Sequence, residues 1–281
     1  MRTETFQTPN PARLDIRLGA GEVRLEASQT PETTVRLEPL RDNDASAAAV
    51  EEARVEQRGD EILIDVRDRR RGLRGSEVLV EVRCPEGSSV RGKTGSADFE
   101  GHGRFGSADV ETGSGDVQFG EFSDEAKVNA ASGDVQIGSV GGEGRINTAS
   151  GDVQVGSFAA AAKINSASGD VQIGEVGGRL EVNSASGDVT VREASSAVSM
   201  NTASGDQTVG SLAEGKVDLK SASGDLRIGI REGSTLWVDA RSRSGEVTSE
   251  LPVSDLPPEG DAPHVELRAN TMSGDVTIVR A

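Results

Sequence analysis

The 281-residue chain sets 47 acidic against 30 basic residues, a formal net charge of −17. A polyanion repels phosphate backbones, and six Phe, one Trp and no Tyr leave few platforms for stacked bases, so no nucleic-acid partner is expected. A single cysteine, Cys84, excludes an intrachain disulfide and a four-cysteine metal site.

The opening "MRTETFQTPNPARLDIRLG" holds no apolar run of signal-peptide length, and no stretch approaches the ~20 apolar residues that span a bilayer. With Met1 as the native start, the chain is expected to be cytoplasmic and without a membrane span. In "ARLDIRLGAGEVRLEA", Leu14, Ile16 and Leu18 alternate with polar residues up to a turn at Gly19-Ala-Gly, and Val23 and Leu25 resume the pattern. "TTVRLEPL", "EILIDVRD" and "EVLVEVRCP" read as further strands, the last ending at Cys84, which is expected to be an inert, partly buried thiol. "NDASAAAVEEARVEQ" predicts one short helix with Asp44 or Ser46 as its cap. Between two of the strands lies the basic run "RDRRRGLR"; Arg67, Arg69, Arg70, Arg71 and Arg74 read as a solvated hairpin tip or as a docking point for an acidic protein partner. Residues 1–92 are taken as an irregular β cap over the region that follows.

Residues 93–281 are an array. The Ser of Ser-Gly-Asp recurs at Ser114, Ser132, Ser150, Ser168, Ser186 and Ser204, every 18 residues, and then at Ser223, Ser244 (here Ser-Gly-Glu) and Ser273 with looser spacing. "GSADF" and "GSADV" at Gly95 and Gly106 are degenerate forerunners. Four apolar columns repeat with the motif: Val128, Ile146, Ile164, Val182 and Met200; Val117, Val135, Val153, Val171 and Val189; Phe119, Ile137, Val155, Ile173, Val191 and Val209; and Phe122, Val140, Phe158, Val176 and Leu212. Apolar-polar-apolar order within "DVQIG" marks half-buried strands. An 18-residue extended unit cannot bury its apolar side alone, but stacked on copies ~4.8 Å away it builds a continuous core. The fold class is therefore all-β, a single-stranded parallel β-solenoid with 18-residue rungs. Right-handed coiling is expected from the general crossover rule.

The polar columns carry the functional question. Asn129, Asn147, Asn165, Asn183 and Asn201, like Gln118, Gln136, Gln154 and Gln172, are expected to form stacked amide ladders. The Ala column (Ala131, Ala149, Ala167, Ala185, Ala203 and Ala222) suggests close backbone approach beside the turn. Gly115, Gly133, Gly151, Gly169, Gly187, Gly205 and Gly224 are expected at positive φ, so that Ser-Gly-Asp is the corner of every rung. Asp116, Asp134, Asp152, Asp170, Asp188, Asp206 and Asp225 stack carboxylates ~4.8 Å apart, a repulsion of roughly 1 kcal/mol per pair in water. Each is expected to accept backbone N–H groups at its own turn. The alternative is a calcium β-roll with cations between rungs, but the opposite half-turn ("GSVGGEGRINT", "GSFAAAAKINS") lacks the second aspartate loop.

No catalytic constellation and no cofactor site emerge. His102 and His264 read as separate solvated loop residues, and Trp237, the one large candidate sugar platform, sits in an apolar strand that favours core or rim packing. A polysaccharide-active β-helix enzyme would need non-repeating acids in an aromatic groove, so it ranks third. From Gly113 to Leu212 there are thirteen acidic and five basic residues. Repeated "SGDV(Q/T)(I/V)" rungs behind a β-rich N-terminal region resemble a bacterial β-strand-repeat domain of unknown function called "putative adhesin". That resemblance spans Leu14 to Ala281, is strongest from Gly113 to Gly229, and implies a β-solenoid without catalytic residues.

The expected function is a non-enzymatic β-solenoid scaffold or protein-binding module. The final rung, "NTMSGDVTIVRA", is expected to leave its lower backbone edge unpaired. That edge would either be plugged by the segment Ser249–His264, with Leu251, Val253 and Leu256 covering the core, or pair end to end with a second copy.

Overall fold

The computed structural model describes residues 1–66, 75–251 and 264–281, which form two compact units, Met1–Gly142 and Glu143–Ala281. Both are built from stacked parallel rungs. Each full rung is a strand, a corner and a second strand, and it is named below by its corner carboxylate.

In the second unit the Asp170 rung comprises Ala162–Ser166 and Val171–Val176. These strands pair in parallel with their equivalents 18 residues before and after, so Ile146, Ile164 and Val182 lie in register, as do Val153, Val171 and Val189. All four predicted apolar columns are buried. The core also balances volume within a rung. An added Cβ on Gly144 would lie 2.1 Å from the Phe158 ring, and the same two positions hold Ala162 with Val176, Leu180 with Ala194, and Val198 with Leu212. The widest ring thus stands beside a glycine and Leu180 beside an alanine, while Val198 with Leu212 is the bulkier pair.

The corners require glycine for two reasons. Gly133, Gly151, Gly169, Gly187, Gly205 and Gly224 have φ between 111° and 143°, and a Cβ on Gly169 would sit 2.2 Å from the Gly151 carbonyl oxygen. Gly115 does not share the positive φ expected of it; close approach alone demands glycine there, since a Cβ would lie 2.0 Å from the Ala97 oxygen. The Ala column turns out to be exposed, so tight approach belongs to Gly and not to Ala.

The first unit introduces β1 (Arg2–Gln7), β2 (Arg13–Ser28), β3 (Glu32–Pro39), β4 (Arg54–Arg58), β5 (Glu61–Val66), β6 (Val78–Pro85) and β7 (Ser89–Phe105). The expected turn at Gly19–Gly21 is not a reversal. β2 runs through it as a single bent strand with Gly21 at φ 134°, so β2 is itself a rung. One side of β2 pairs in parallel with β5 and β6, and the other with β7, so a strand early in sequence lies between two later ones. The outer edge is then covered by antiparallel strands: β4 on β5, β3 on β6, and β1 on β3. The helix α1, Asp44–Glu52, packs against β3, β5 and β6 and buries Ala49 and Val50. Its cap is Asn43, not Asp44 or Ser46: the Asn43 side chain accepts from the Ser46 N–H at 2.7 Å, and Ser46 is drawn inward to accept from the Glu77 N–H. After β7 come the Asp116 and Asp134 rungs, whose rings Phe119 and Phe122 pack with Phe99 and Phe105.

The far end of the second unit repeats the out-of-order device. The Asp275 rung (His264–Ser273, Val276–Arg280) lies between the Asp225 rung (Gly215–Ser223, Leu226–Ile230) and the Glu246 rung (Thr235–Ser242, Val247–Ser249). The expectation of an unpaired final rung is therefore overturned. Residues 264–280 are paired on both sides, and the outermost rung is 235–249. Leu251 is buried, whereas Val253 and Leu256 fall outside the described residues, as does the arginine run 67–74.

The column assignment yields a direct test. Ile164→Asp should cost about 3–5 kcal/mol in urea unfolding, because it buries an unpaired charge between two neighbouring rungs. Gln154→Asp, on the exposed side, should change stability by no more than about 0.5 kcal/mol. Equal effects would invert the inside and outside faces.

Candidate functional site

Two polar surfaces compete for the role of site, and their geometry separates them. The first is the corner column. Asp116, Asp152, Asp170, Asp188, Asp206 and Asp225 do each accept a backbone N–H, but not at their own turns as expected. The donor belongs to the corner of the next rung: Asp188 N–H to Asp170 Oδ1, Asp206 to Asp188, and Asp225 to Asp206, each at 2.8 Å. The first unit shows the same bond from Asp116 to Asp98 (3.0 Å) and from Asp134 to Asp116 (2.9 Å). A charge-assisted bond of about 1.5–3 kcal/mol outweighs a like-charge term of roughly 1 kcal/mol, so a row of exposed carboxylates is stable without an ion between rungs. Among the described residues no group of three or more His, Cys, Asp or Glu is placed to hold a metal.

Beside the corner runs a column that the sequence reading missed, two positions before Ser. Thr94, Thr112, Thr148, Ser166, Ser184, Thr202, Ser221 and Thr271 are buried hydroxyls. Thr112 Oγ1 accepts from the Gly115 N–H, while Thr148 and Ser184 donate to the carbonyls of Ser150 and Ser186. The signal was present as the recurrent Thr or Ser of "NTAS" and "NSAS". In the second unit the Asn ladder is real: Asn165, Asn183 and Asn201 each donate Nδ2 to the Oδ1 of the preceding Asn at 2.7–3.1 Å. The Gln column is exposed and, among the described residues, its amides make no such ladder. In the Asp206 rung Gln207 replaces the usual valine and is fully buried, its Nε2 donating to Thr202 Oγ1 and the Lys220 carbonyl.

The second surface does not repeat. In the first unit, outward residues of β3, β6, β2 and β7 line a groove of about 560 Å³ bounded by Arg24, Glu26, Thr34, Arg36, Glu81, Arg83 and His102. Strand register arranges them in two rows, one of four alternating charges and one in which an Arg–Glu pair is flanked by Thr34 and His102. Arg36, Glu81, Arg24 and Glu100 form one row, and Thr34, Arg83, Glu26 and His102 the other. Arg83 bonds Glu26 at 2.8 Å, Arg36 lies 3.5 Å from Glu81, and Arg24 lies 3.7 Å from Glu100. The hydrogen bond from Arg83 holds the Glu26 carboxyl below its usual range, and Glu26 raises the Arg83 guanidinium in turn. Glu22 does the same for Arg24, and Glu38 for Arg36.

The remaining candidates are scattered. His102 and His264 lie on strands and not in loops. His102 contacts Glu100 at 2.9 Å, and His264 contacts Thr235 at 3.4 Å. Trp237 is half-buried on the outward side of its strand, with the Arg268 guanidinium 5.9 Å from its ring centre, which is rim packing. No helix among the described residues is long and apolar enough to cross a membrane.

Cys84 is fully buried at the end of β6, and burial pushes its thiol up to about 11. The folded state therefore favours the neutral thiol. Its contribution to stability is full below the ordinary thiol value of 9.0 and is lost as pH rises from there through about 11. Cys84→Ala should flatten the pH dependence of urea unfolding across that window, and the native thiol should resist alkylation at pH 8; rapid alkylation without unfolding would contradict the burial.

Comparison with known proteins bears on the fold. The Toastrack DUF4097 family model matches residues 12–213. No curated protein matches significantly. Among solved structures, one called "putative lipid binding protein" from Parabacteroides distasonis aligns over 99% of this chain and 96% of its own, at 15% identity and a TM-score of 0.44. One called "putative adhesin" from Bacteroides fragilis aligns over the same shares, at 10% identity and a TM-score of 0.43.

The corner bond can be isolated by mutation. Asp170→Asn keeps an acceptor oxygen for the Asp188 N–H and should be near neutral, whereas Asp170→Ala should lose about 1–2 kcal/mol in urea unfolding. Chelator should leave the melting temperature of the parent unchanged. A marked drop would instead indicate cations between the rungs.

Proposed function

The chain belongs to the Toastrack DUF4097 family, and we propose that it acts as a non-enzymatic β-solenoid scaffold that binds a protein partner through the charged groove of its first unit. The carrying observation is the alternating-charge row Arg36, Glu81, Arg24 and Glu100, with the Arg83–Glu26 pair beside it, laid across four strands. Their ions are already partnered and exposed, so a partner with complementary rows can exchange contacts one for one without stranding a buried charge. Such a surface confers specificity and fast encounter more than raw affinity.

Binding is favoured over turnover by the same geometry. Thr34 and His102, a hydroxyl and a base, stand three strand spacings apart in their row, roughly 14 Å, beyond hydrogen-bond reach. The repeated carboxylates are engaged in rung-to-rung bonds. The arginine run Arg67–Arg74 belongs to the same reading, as a second docking point for an acidic segment.

The triple variant Arg24→Glu/Arg36→Glu/Arg83→Glu tests it. A partner captured from the native host by the parent protein should bind the purified variant at least about tenfold more weakly, at a temperature where circular dichroism shows the variant folded, since like charges now facing across the strands lower its melting temperature. Parent binding should weaken as salt rises. Equal affinity of parent and variant for that partner would overturn the assignment to the groove.

A further inference from the structure

Followed across the first unit, the outward residues of the groove form a pattern that complements itself when reversed. Extended to the strands on either side, the first row runs Thr3, Arg36, Glu81, Arg24, Glu100 and Gln118, from β1 through β3, β6, β2 and β7 to the Asp116 rung. By charge it reads neutral, plus, minus, plus, minus, neutral. Its reverse carries the opposite sign at every charged step. The second row behaves alike: reversal sets Arg83 against Glu26 and Thr34 against His102.

Two copies of such a face meet in this reversed order when a two-fold axis runs along the strands between them. Arg36 then faces Glu100 of the second copy, Arg24 faces its Glu81, and Arg83 faces its Glu26. Each contact occurs twice by symmetry, and Thr3 meets Gln118 at the ends of the row. An axis turned through a right angle would lay one row on the other and match only Glu81 with Arg83 and Arg24 with Glu26.

Net charge favours the same occupant. Three arginines against three glutamates leave the two rows neutral, on a chain of net charge −17. A strongly acidic or basic partner gains little from a neutral face, whereas copies that repel each other elsewhere can approach there. The side chains are placed to change partners, since Thr3, Arg24, Glu26, Arg36, Arg83, His102 and Gln118 are all exposed. The next row outward, Glu38, Leu79, Glu22 and Asp98, is acidic and would oppose its own copy. It bounds the contact to two rows and keeps the pair weak.

We infer that two copies of this chain dock face to face through the groove as a weak, reversible, two-fold pair. This rests on the reading of the groove as a binding surface and names its occupant.

Complementation in trans, read by sedimentation of the full chain across the micromolar to millimolar range, provides the test. The parent should show a monomer–dimer equilibrium that stops at two and weakens as salt rises. Arg24→Glu alone sets acid against acid at the Arg24–Glu81 contact, and Glu81→Arg alone sets base against base. Each should self-associate at least about tenfold more weakly than the parent. An equal mixture of the two should recover a heterodimer, because each substitution then meets its opposite in the other copy. Circular dichroism checks that each variant is folded; should either fail, Arg83→Glu with Glu26→Arg forms a second pair of the same design. A parent that stays monomeric overturns the second copy as occupant, yet leaves the groove open to a different captured protein. A dimer unchanged by the single variants, or variants that stay apart when mixed, overturns the face-to-face contact.

Discussion

The structure depends on a single recurrent bond, from the carboxylate of one corner to the N–H of the next. It fixes vertical register where the chain bends, which is where a parallel stack is most prone to slip. A slip of one residue would turn every apolar column outward, because side chains alternate with period two. The bond also explains the choice of residue. The corner needs a short side chain with an acceptor oxygen; Asn could supply it too, and the stronger bond of a charged acceptor is offset by the repulsion between neighbouring carboxylates. Glycine before it follows from the same closeness, because corner backbones approach too tightly for a Cβ. Most of the chain's acidic excess in the array is thus a structural device.

What the sequence made legible was whatever repeats. An 18-residue period, four apolar columns and a corner motif specify rung length, inside and outside, and parallel register, because each follows from periodicity alone. The Asn ladder was legible for the same reason. The partner of each aspartate was not: a column shows that the side chains stack but not whether each closes its own turn or reaches the next. The hydroxyl column was overlooked because Thr and Ser beside a turn look like ordinary turn residues, and only burial distinguishes them.

Stacking order was the second thing hidden. β2 and the Asp275 rung carry the same alternation as any neighbour, so nothing local says that each lies between rungs from elsewhere in the chain. The long spacing before Ser273 was visible, and it suggested an insertion. In fact the spacing lets the chain place an outer rung and return to fill the slot inside it. The bond from the Asp275 N–H to Asp225 spans 50 residues, a loop whose closure costs little more than that of a shorter one because the entropy grows only logarithmically.

The groove was illegible for a related reason. Its rows join residues 24, 26, 34, 36, 81, 83, 100 and 102, which share no motif and meet only because β2 is inserted beside β6 and β7. β2, β3 and β6 do show their share, an Arg and a Glu on alternate outward positions, as in "EVRLEA" and "VRLEP". Alternation within a strand gives the sign at each step but not the strand that lies next to it, and a row of charges is a property of neighbours. In the repeat array the neighbour is usually the next copy, so the Asn and corner Asp side chains settle into like-with-like columns that serve the fold, beside isolated ion pairs such as Lys163–Glu181. In the cap the neighbours differ, opposite charges can be set across the sheet, and a surface with an identity of its own can form. Departure from the repeat is therefore where this fold has freedom to recognise something, and three of the strands that build the groove, β2, β3 and β6, stand outside the 18-residue period.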